Sequence, residues 1–187
     1  ELFDNVLQQR LDDLLPTLMK RQGISMWIVM NREYNEDPVY LSLVPAMARY
    51  ARRLSCLIFY LNGQGKTERY SLGNDRDFKG MYTVIPWAPP QDRMQLLRET
   101  IERLNPDNIA LDYCQDNQFA DGLSKSLYDM FKAGMSPEIM AKVISAEHIV
   151  TDWLQTRNRQ ELVRYRAVNA LAKEIIEKAS GKRKDIE

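Results

Sequence analysis

The chain has 187 residues, 26 of them Lys or Arg and 26 Asp or Glu, with a hydrophobic content of 44%. That is enough for one well-packed domain, or for a domain with a fragment of a second. A formal net charge of +0 provides no global field toward nucleic acid or an anionic membrane, and no apolar run approaches the roughly 20 residues of a membrane span.

Residues 1–4 lack the basic start and apolar stretch of a signal peptide. Position 1 is Glu rather than Met, so the sequence reads as a processed form, and a signal removed earlier would make the protein secreted or periplasmic. Cys56 lies inside a strand-like run and Cys114 just after one. They read as separate thiols rather than a disulfide framework, which favours a reducing, cytoplasmic compartment.

In chain order, the apolar residues Phe3, Val6, Leu7, Leu11, Leu14, Leu15, Leu18 and Met19 predict a helix over 3–21, kinked or restarted at Pro16 and closed by Gly23. Residues 24–30 follow as a strand apolar on both faces, as expected of one covered on both sides. The stretch 31–45 breaks every regular period and is long for a plain connection; long ordered loops are often functional. Residues 54–61, the turn 62–66 and residues 67–72 predict a β-hairpin, and 80–86 a further strand.

Pro89 and Pro90 introduce a helix over 92–104 that Asn105-Pro106-Asp107 stops before a short strand at 108–111. Residues 118–133 read as a helix, 134–137 as a turn, 141–144 as a short strand and 146–156 as another helix. From 160 to 179, Leu162, Tyr165, Val168, Ala172, Ile175 and Ala179 recur at steps of three and four and predict an amphipathic helix, with Glu174 and Lys178 as an i,i+4 pair. Gly181 is expected to end it, leaving only residues 182–187. A meander followed by alternating helices and strands makes one mixed sheet with helices on its faces, an α/β or α+β domain.

The motifs mostly exclude. His148 is the only histidine, so there is no Cys/His zinc cluster, no HExxH and no supported Ser-His-Asp triad, and it reads as a surface or structural residue. Neither a Gly-x-Gly-x-x-Gly nor a Walker loop occurs. Acids after strands, Glu33 and Asp37 after the first and Asp112 and Asp116 after another, could suit a metal-dependent nuclease. The strand at 24–30 holds no acid, however, and these residues read as loop acids for solvation and helix capping. Arg49, Arg52 and Arg53 would share one face if 46–53 were helical, and Arg157, Arg159, Arg164 and Arg166 crowd a second boundary. Without interleaved aromatics these clusters read as solvated faces or internal ion pairs, not a nucleic-acid site.

Three segments taken together resemble the N-terminal domain of the creatinase/prolidase/Xaa-Pro aminopeptidase family of metallopeptidases. They are Leu14-Leu-Pro-Thr-Leu-Met-Lys-Arg-Gln-Gly-Ile-Ser-Met-Trp-Ile-Val29, then Asp37-Pro-Val-Tyr-Leu41, and then the block 149–176, which is similar to the family's boundary between domains. The sequence departs from the family at Leu43-Val-Pro45, where a Thr-Gly-aromatic triplet is common, and at Thr156-Arg-Asn-Arg159, which replaces an Arg-x-x-Lys-Ser boundary.

The resemblance implies an RNase H-like mixed sheet with helices on both faces over 1–156. It implies that 157–187 is a linker and the first helix of a catalytic domain of pita-bread fold. The two divalent metal ions of that domain, such as Mn or Co, sit in the family on two Asp, one His and two Glu, none of which has a counterpart here. The chain itself would then carry no catalytic and no metal-binding residue. Its role would be dimerisation and restriction of access to the active site of a hydrolase acting on short proline-containing peptides. Arg32, Tyr40 and Arg49 are the candidate substrate-binding residues, since an Arg fork matches a carboxylate and Tyr offers a flat face with a polar tip. The competing reading is a stand-alone peptide- or protein-binding module with a peptidase-like fold and no catalysis.

Overall fold

The computed structural model describes residues 2–72 and 78–184, and divides the chain into two compact units, Glu1–Gln155 and Thr156–Glu187. The first unit opens with α1 (Leu2–Gln9), a π-helical turn (Arg10–Leu14) and α2 (Leu15–Gln22). Pro16 explains the interruption: it has no N–H to give and its ring crowds the preceding carbonyls. The turn before it widens, and the Leu15 N–H reaches back to Arg10 O, five residues earlier. Gly23 ends α2 in the left-handed conformation, φ 63°.

Strand β1 (Met26–Arg32) pairs antiparallel with β2 (Leu54–Leu61), and β2 antiparallel with β3 (Thr67–Leu72). On the other side β1 pairs parallel with β5 (Ile109–Leu111), and β5 parallel with β6 (Val143–Ser145). Short β4 (Thr83–Ile85) lies parallel to β3, so the sheet order is β4-β3-β2-β1-β5-β6. This is the expected α/β architecture, a mixed sheet with helices on both faces.

Both faces of β1 are buried and its side chains alternate between two cores. Trp27, Val29, Leu57 and Phe59 meet α1, α2 and α7 (Glu147–Gln155) through Leu7, Leu11, Leu15, Leu18, Ile149 and Trp153. Met26, Ile28, Met30, Cys56 and Ile58 meet α4 (Arg93–Leu104) and α5 (Lys125–Gly134) through Leu97, Ile101, Leu127 and Phe131. Asp92 caps α4 by accepting from Met94 N–H at 2.9 Å, and Asn105 closes it at φ 45°.

Several elements differ from what the sequence alone suggests. The helix expected over 118–133 starts only at Lys125; Gln118–Ala120 is a single 3-10 turn, and Ser124 caps α5 by accepting from Leu127 N–H. Residues 46–53 are not a helix: Ala46–Ala48 is one 3-10 turn and Arg53 has φ 52°, so the three arginines do not share a helical face. The loop after β1 instead carries the short helix α3 (Tyr40–Leu43), and α6 (Pro137–Met140) occupies part of the expected turn after α5.

The second unit is α8 (Arg159–Lys184). A capping box opens it, Asn158 N–H donating to Glu161 Oε2 and Glu161 N–H to Asn158 Oδ1, each at 2.8 Å. The helix runs through Gly181 rather than ending there. Gly181 is not among the glycines of positive φ, and a glycine with helical dihedrals merely weakens a helix, by about 1 kcal/mol relative to Ala. Residues 185–187, the end of the expected tail, lie outside the described residues.

Candidate functional site

The segment between β1 and β2, residues 33–53, is held by hydrogen bonds to its backbone and to the Ser42 hydroxyl. Asp4 on α1 accepts from Ala46 N–H at 3.0 Å, and Glu36 accepts from Ala51 N–H at 3.1 Å. Tyr82 Oη donates to Leu43 O at 2.7 Å, and the Trp153 indole N–H to Ser42 Oγ at 2.8 Å. The segment is therefore an ordered loop, and its polar backbone is largely answered from within.

Its deepest fastening is a pair of carboxyls. Asp37 N–H donates to Asn31 Oδ1 at 2.7 Å, and Asp37 Oδ1 accepts from Val39 N–H at 2.9 Å, a local turn of the kind Asp favours. Asp112, just past β5, accepts the Trp27 indole N–H on Oδ1 at 2.6 Å. Both acids are buried, and Oδ2 of each, like Asn31 Nδ2, has no other hydrogen-bond partner. Burial pushes Asp37 up to about 6, helped by the charge of Asp121 and opposed by the Val39 N–H and a bond from Asp112. Burial, then the charge of Asp37, pushes Asp112 well above the carboxylate range, against the Trp27 N–H.

These two acids were expected to be solvated or capping residues. Asp37 does bond a local amide, but the structure buries both and brings them together across 75 residues of sequence. Spacing could not signal this. The one hint is that Asp112 directly follows an apolar strand, where the chain is still inside the sheet.

The three sequence candidates fall in different settings. Arg32 is half-buried where β1 leaves the sheet, in an isolated bridge with Asn35. Tyr40 is 1% exposed, its ring packed in the core and its hydroxyl donating to Tyr50 O at 3.2 Å. Arg49 is exposed, with its guanidinium 4.7 Å from the Phe3 ring centroid. The Tyr40 hydroxyl thus reaches the backbone next to Arg49, while Arg32 belongs to the start of the loop. Around them the loop presents Tyr34 at 93% and Met47 at 84% exposure, with Tyr50 and Leu41 also exposed.

No family model matches the chain, and no curated protein matches it either. Among the described residues, no group of three or more His, Cys, Asp and Glu side chains is placed to hold a metal ion, and no helix is long and apolar enough to cross a membrane. His148 is exposed in the first turn of α7. Cys56 is buried and Cys114 half-buried, and both are free thiols.

Proposed function

We propose that this chain is the non-catalytic N-terminal domain of a Xaa-Pro aminopeptidase- or dipeptidase-like metallopeptidase, serving dimerisation and restricting access to the active site. The observation that carries this reading is α8. It belongs to a compact unit of its own, Thr156–Glu187, starts at a capping box, and exposes Leu162, Val168, Leu171, Ile175 and Ile176. A helix with so many uncovered apolar side chains needs an apolar partner surface, which the catalytic half of such a peptidase would supply. The mixed sheet with helices on both faces supports the same reading, since it is the layer the resemblance implies. The two divalent metal ions and the peptide chemistry belong, on this reading, to that catalytic half.

Within the proposal, the role of Arg32 and of residues 33–53 is contact with peptide. Arg32 and Arg49 offer guanidinium forks to a peptide carboxylate, and Tyr40 holds the backbone beside Arg49 in place. The ordered loop also favours the second reading, a binding module without catalysis, because a fastened loop loses little entropy on meeting a ligand.

Hydrolysis of Xaa-Pro peptides in the presence of Mn²⁺ or Co²⁺ tests the proposal, with the pure chain compared against the native gene product isolated from its source cells. Turnover is expected only from a native product about twice this size. Turnover by the pure chain overturns the reading, and so does a native product of 21.8 kDa that binds peptide without cleaving it.

A further inference from the structure

The carboxyl pair at the root of the loop has a chemistry of its own. Asp112 Oδ1 is committed to the Trp27 indole N–H and Asp37 Oδ1 to the Val39 amide, which leaves the two Oδ2 atoms buried without a donor. Two ionised carboxylates facing each other away from water would be mutually repulsive and unsolvated. One retained proton removes both defects at once.

The surroundings offer no other remedy. From β1 come Trp27 and Asn31, neither of them charged, and from the loop comes the Val39 amide. The segment after β5 contributes Asp121, whose charge reaches Asp37 and whose Oδ1 accepts from Cys114 N–H, together with Gly122 packed on the Asp37 carboxylate. Among the described residues no cation pairs with either acid.

We propose that Asp112 keeps its proton at neutral pH and donates it from Oδ2 to Oδ2 of Asp37, and that this single shared proton pins residues 33–53 to the carboxyl ends of β1 and β5. The device is a pH-sensitive latch on the loop. The proton is held in the folded state and released on unfolding, where a carboxyl titrates near its ordinary value. Folding stability therefore declines as pH rises, about tenfold in the folding constant per pH unit until Asp112 itself ionises.

Amide substitutions separate this from its alternatives. In Asp112→Asn, Oδ1 still accepts from Trp27 and Nδ2 donates to Asp37, so the bond survives without a titratable proton. In Asp37→Asn, Oδ1 still accepts from Val39 and Nδ2 donates to Asp112. In the double variant both oxygens are already used, and two NH₂ groups meet.

Denaturant unfolding from pH 7 to 9.5, with hydrogen exchange at the Val39 amide, reads the result. Both single variants are expected to fold. Asp112→Asn loses the wild-type decline with pH, whereas Asp37→Asn keeps buried Asp112 without the Asp37 charge and declines less steeply than wild type. The double variant is at least tenfold less stable than either single one. Parallel pH curves for wild type and Asp112→Asn, or a double variant as stable as the singles, would overturn the proposal. Carboxyl ¹³C spectra of the unaltered protein provide a test that needs no variant to fold. The Asp112 resonance is expected at a protonated shift at pH 7, and a carboxylate shift there sinks the latch.

Discussion

Gly122 lies so close to Asp37 that a Cβ at position 122 would stand 2.1 Å from both Cγ and Oδ2 of the carboxylate. Any side chain there must displace a buried acid that bonds the Val39 amide and faces Asp112. Gly122→Ala is expected to cost about 1–3 kcal/mol, the usual penalty for overpacking. Gly63→Ala is the control, because nothing lies within 4 Å of its Cβ position and its φ is ordinary. Denaturant unfolding of both at pH 7 checks the difference; equal stabilities would mean that the Asp37 environment yields easily.

Trp153 joins α7 to the loop. Its ring is fully buried, its indole N–H donates to Ser42 Oγ, the Arg10 guanidinium lies 4.4 Å from its ring centroid, and Arg10 also bonds its carbonyl. Trp153→Ala is expected to destabilise the first unit by about 3–5 kcal/mol. Ser42→Ala removes the acceptor of the Trp153 N–H together with the hydroxyl's own bond to Val39 O, and leaving one N–H unpaired costs about 1–3 kcal/mol. Thermal unfolding of the two variants gives the ranking directly.

The two thiols differ in reactivity for a structural reason. Burial pushes Cys56 up to about 12, with Arg93 pulling slightly the other way, whereas Cys114 is half-buried near the surface. At pH 8 the Cys56 thiolate is scarcer than thiol by about 10⁴-fold. One thiol per chain is expected to react with an aromatic disulfide reagent in native buffer, and a second only after unfolding. Prompt modification of both would show that β2 opens readily.

Much of this architecture is legible in the sequence because it rests on local rules. The continuous apolar run from Met26 to Met30, the hairpin turn at 62–66 and the Asn105-Pro106 stop act within a few residues of themselves, and each element forms near where its residues indicate. The errors arise where a competing local signal wins. Gly122 and Ser124 break the apolar run that suggested a helix over 118–133, and Gly181 keeps helical dihedrals instead of capping α8. The carboxyl pair was beyond reach: Asp37 and Asp112 each look like an ordinary loop acid until β1 and β5 pair and bury them side by side. Tyr40 illustrates the same limit, since its place in the core is set by the packing of α3 and not by its neighbours in the chain.

Asp4 makes stability depend on pH in the opposite sense from the carboxyl pair. A hydrogen bond from Lys79 and then the Ala46 N–H hold its carboxyl below the ordinary value of 3.8. Its folded pKa is depressed, so the stabilisation is present above pH 4 and disappears as pH falls through the folded value. Lys79 is more than half exposed, and solvent screening limits the pair to about 0.2–1 kcal/mol. Asp4→Asn should therefore be less stable than wild type by that amount at pH 6, with the gap narrowing as pH falls below the ordinary carboxylate value. A gap that persists at pH 2 would assign the effect to packing instead of charge.

On α8 several apolar side chains are exposed. Leu171 and Ile175 are each more than half exposed, four residues apart, and the helix carries its own support in the Lys178–Glu174 ion pair at 2.6 Å. Replacing both by Glu should leave the unfolding midpoint of residues 1–155 within about 0.5 kcal/mol of wild type, as for surface positions generally. The same change should weaken concentration-dependent association measured by sedimentation velocity, because an uncovered apolar helix face is a surface on which copies of the chain adhere. If the double substitution instead lowers the stability of the first unit by several kcal/mol, these side chains are part of its core in solution, and α8 cannot be the helix that awaits a second half.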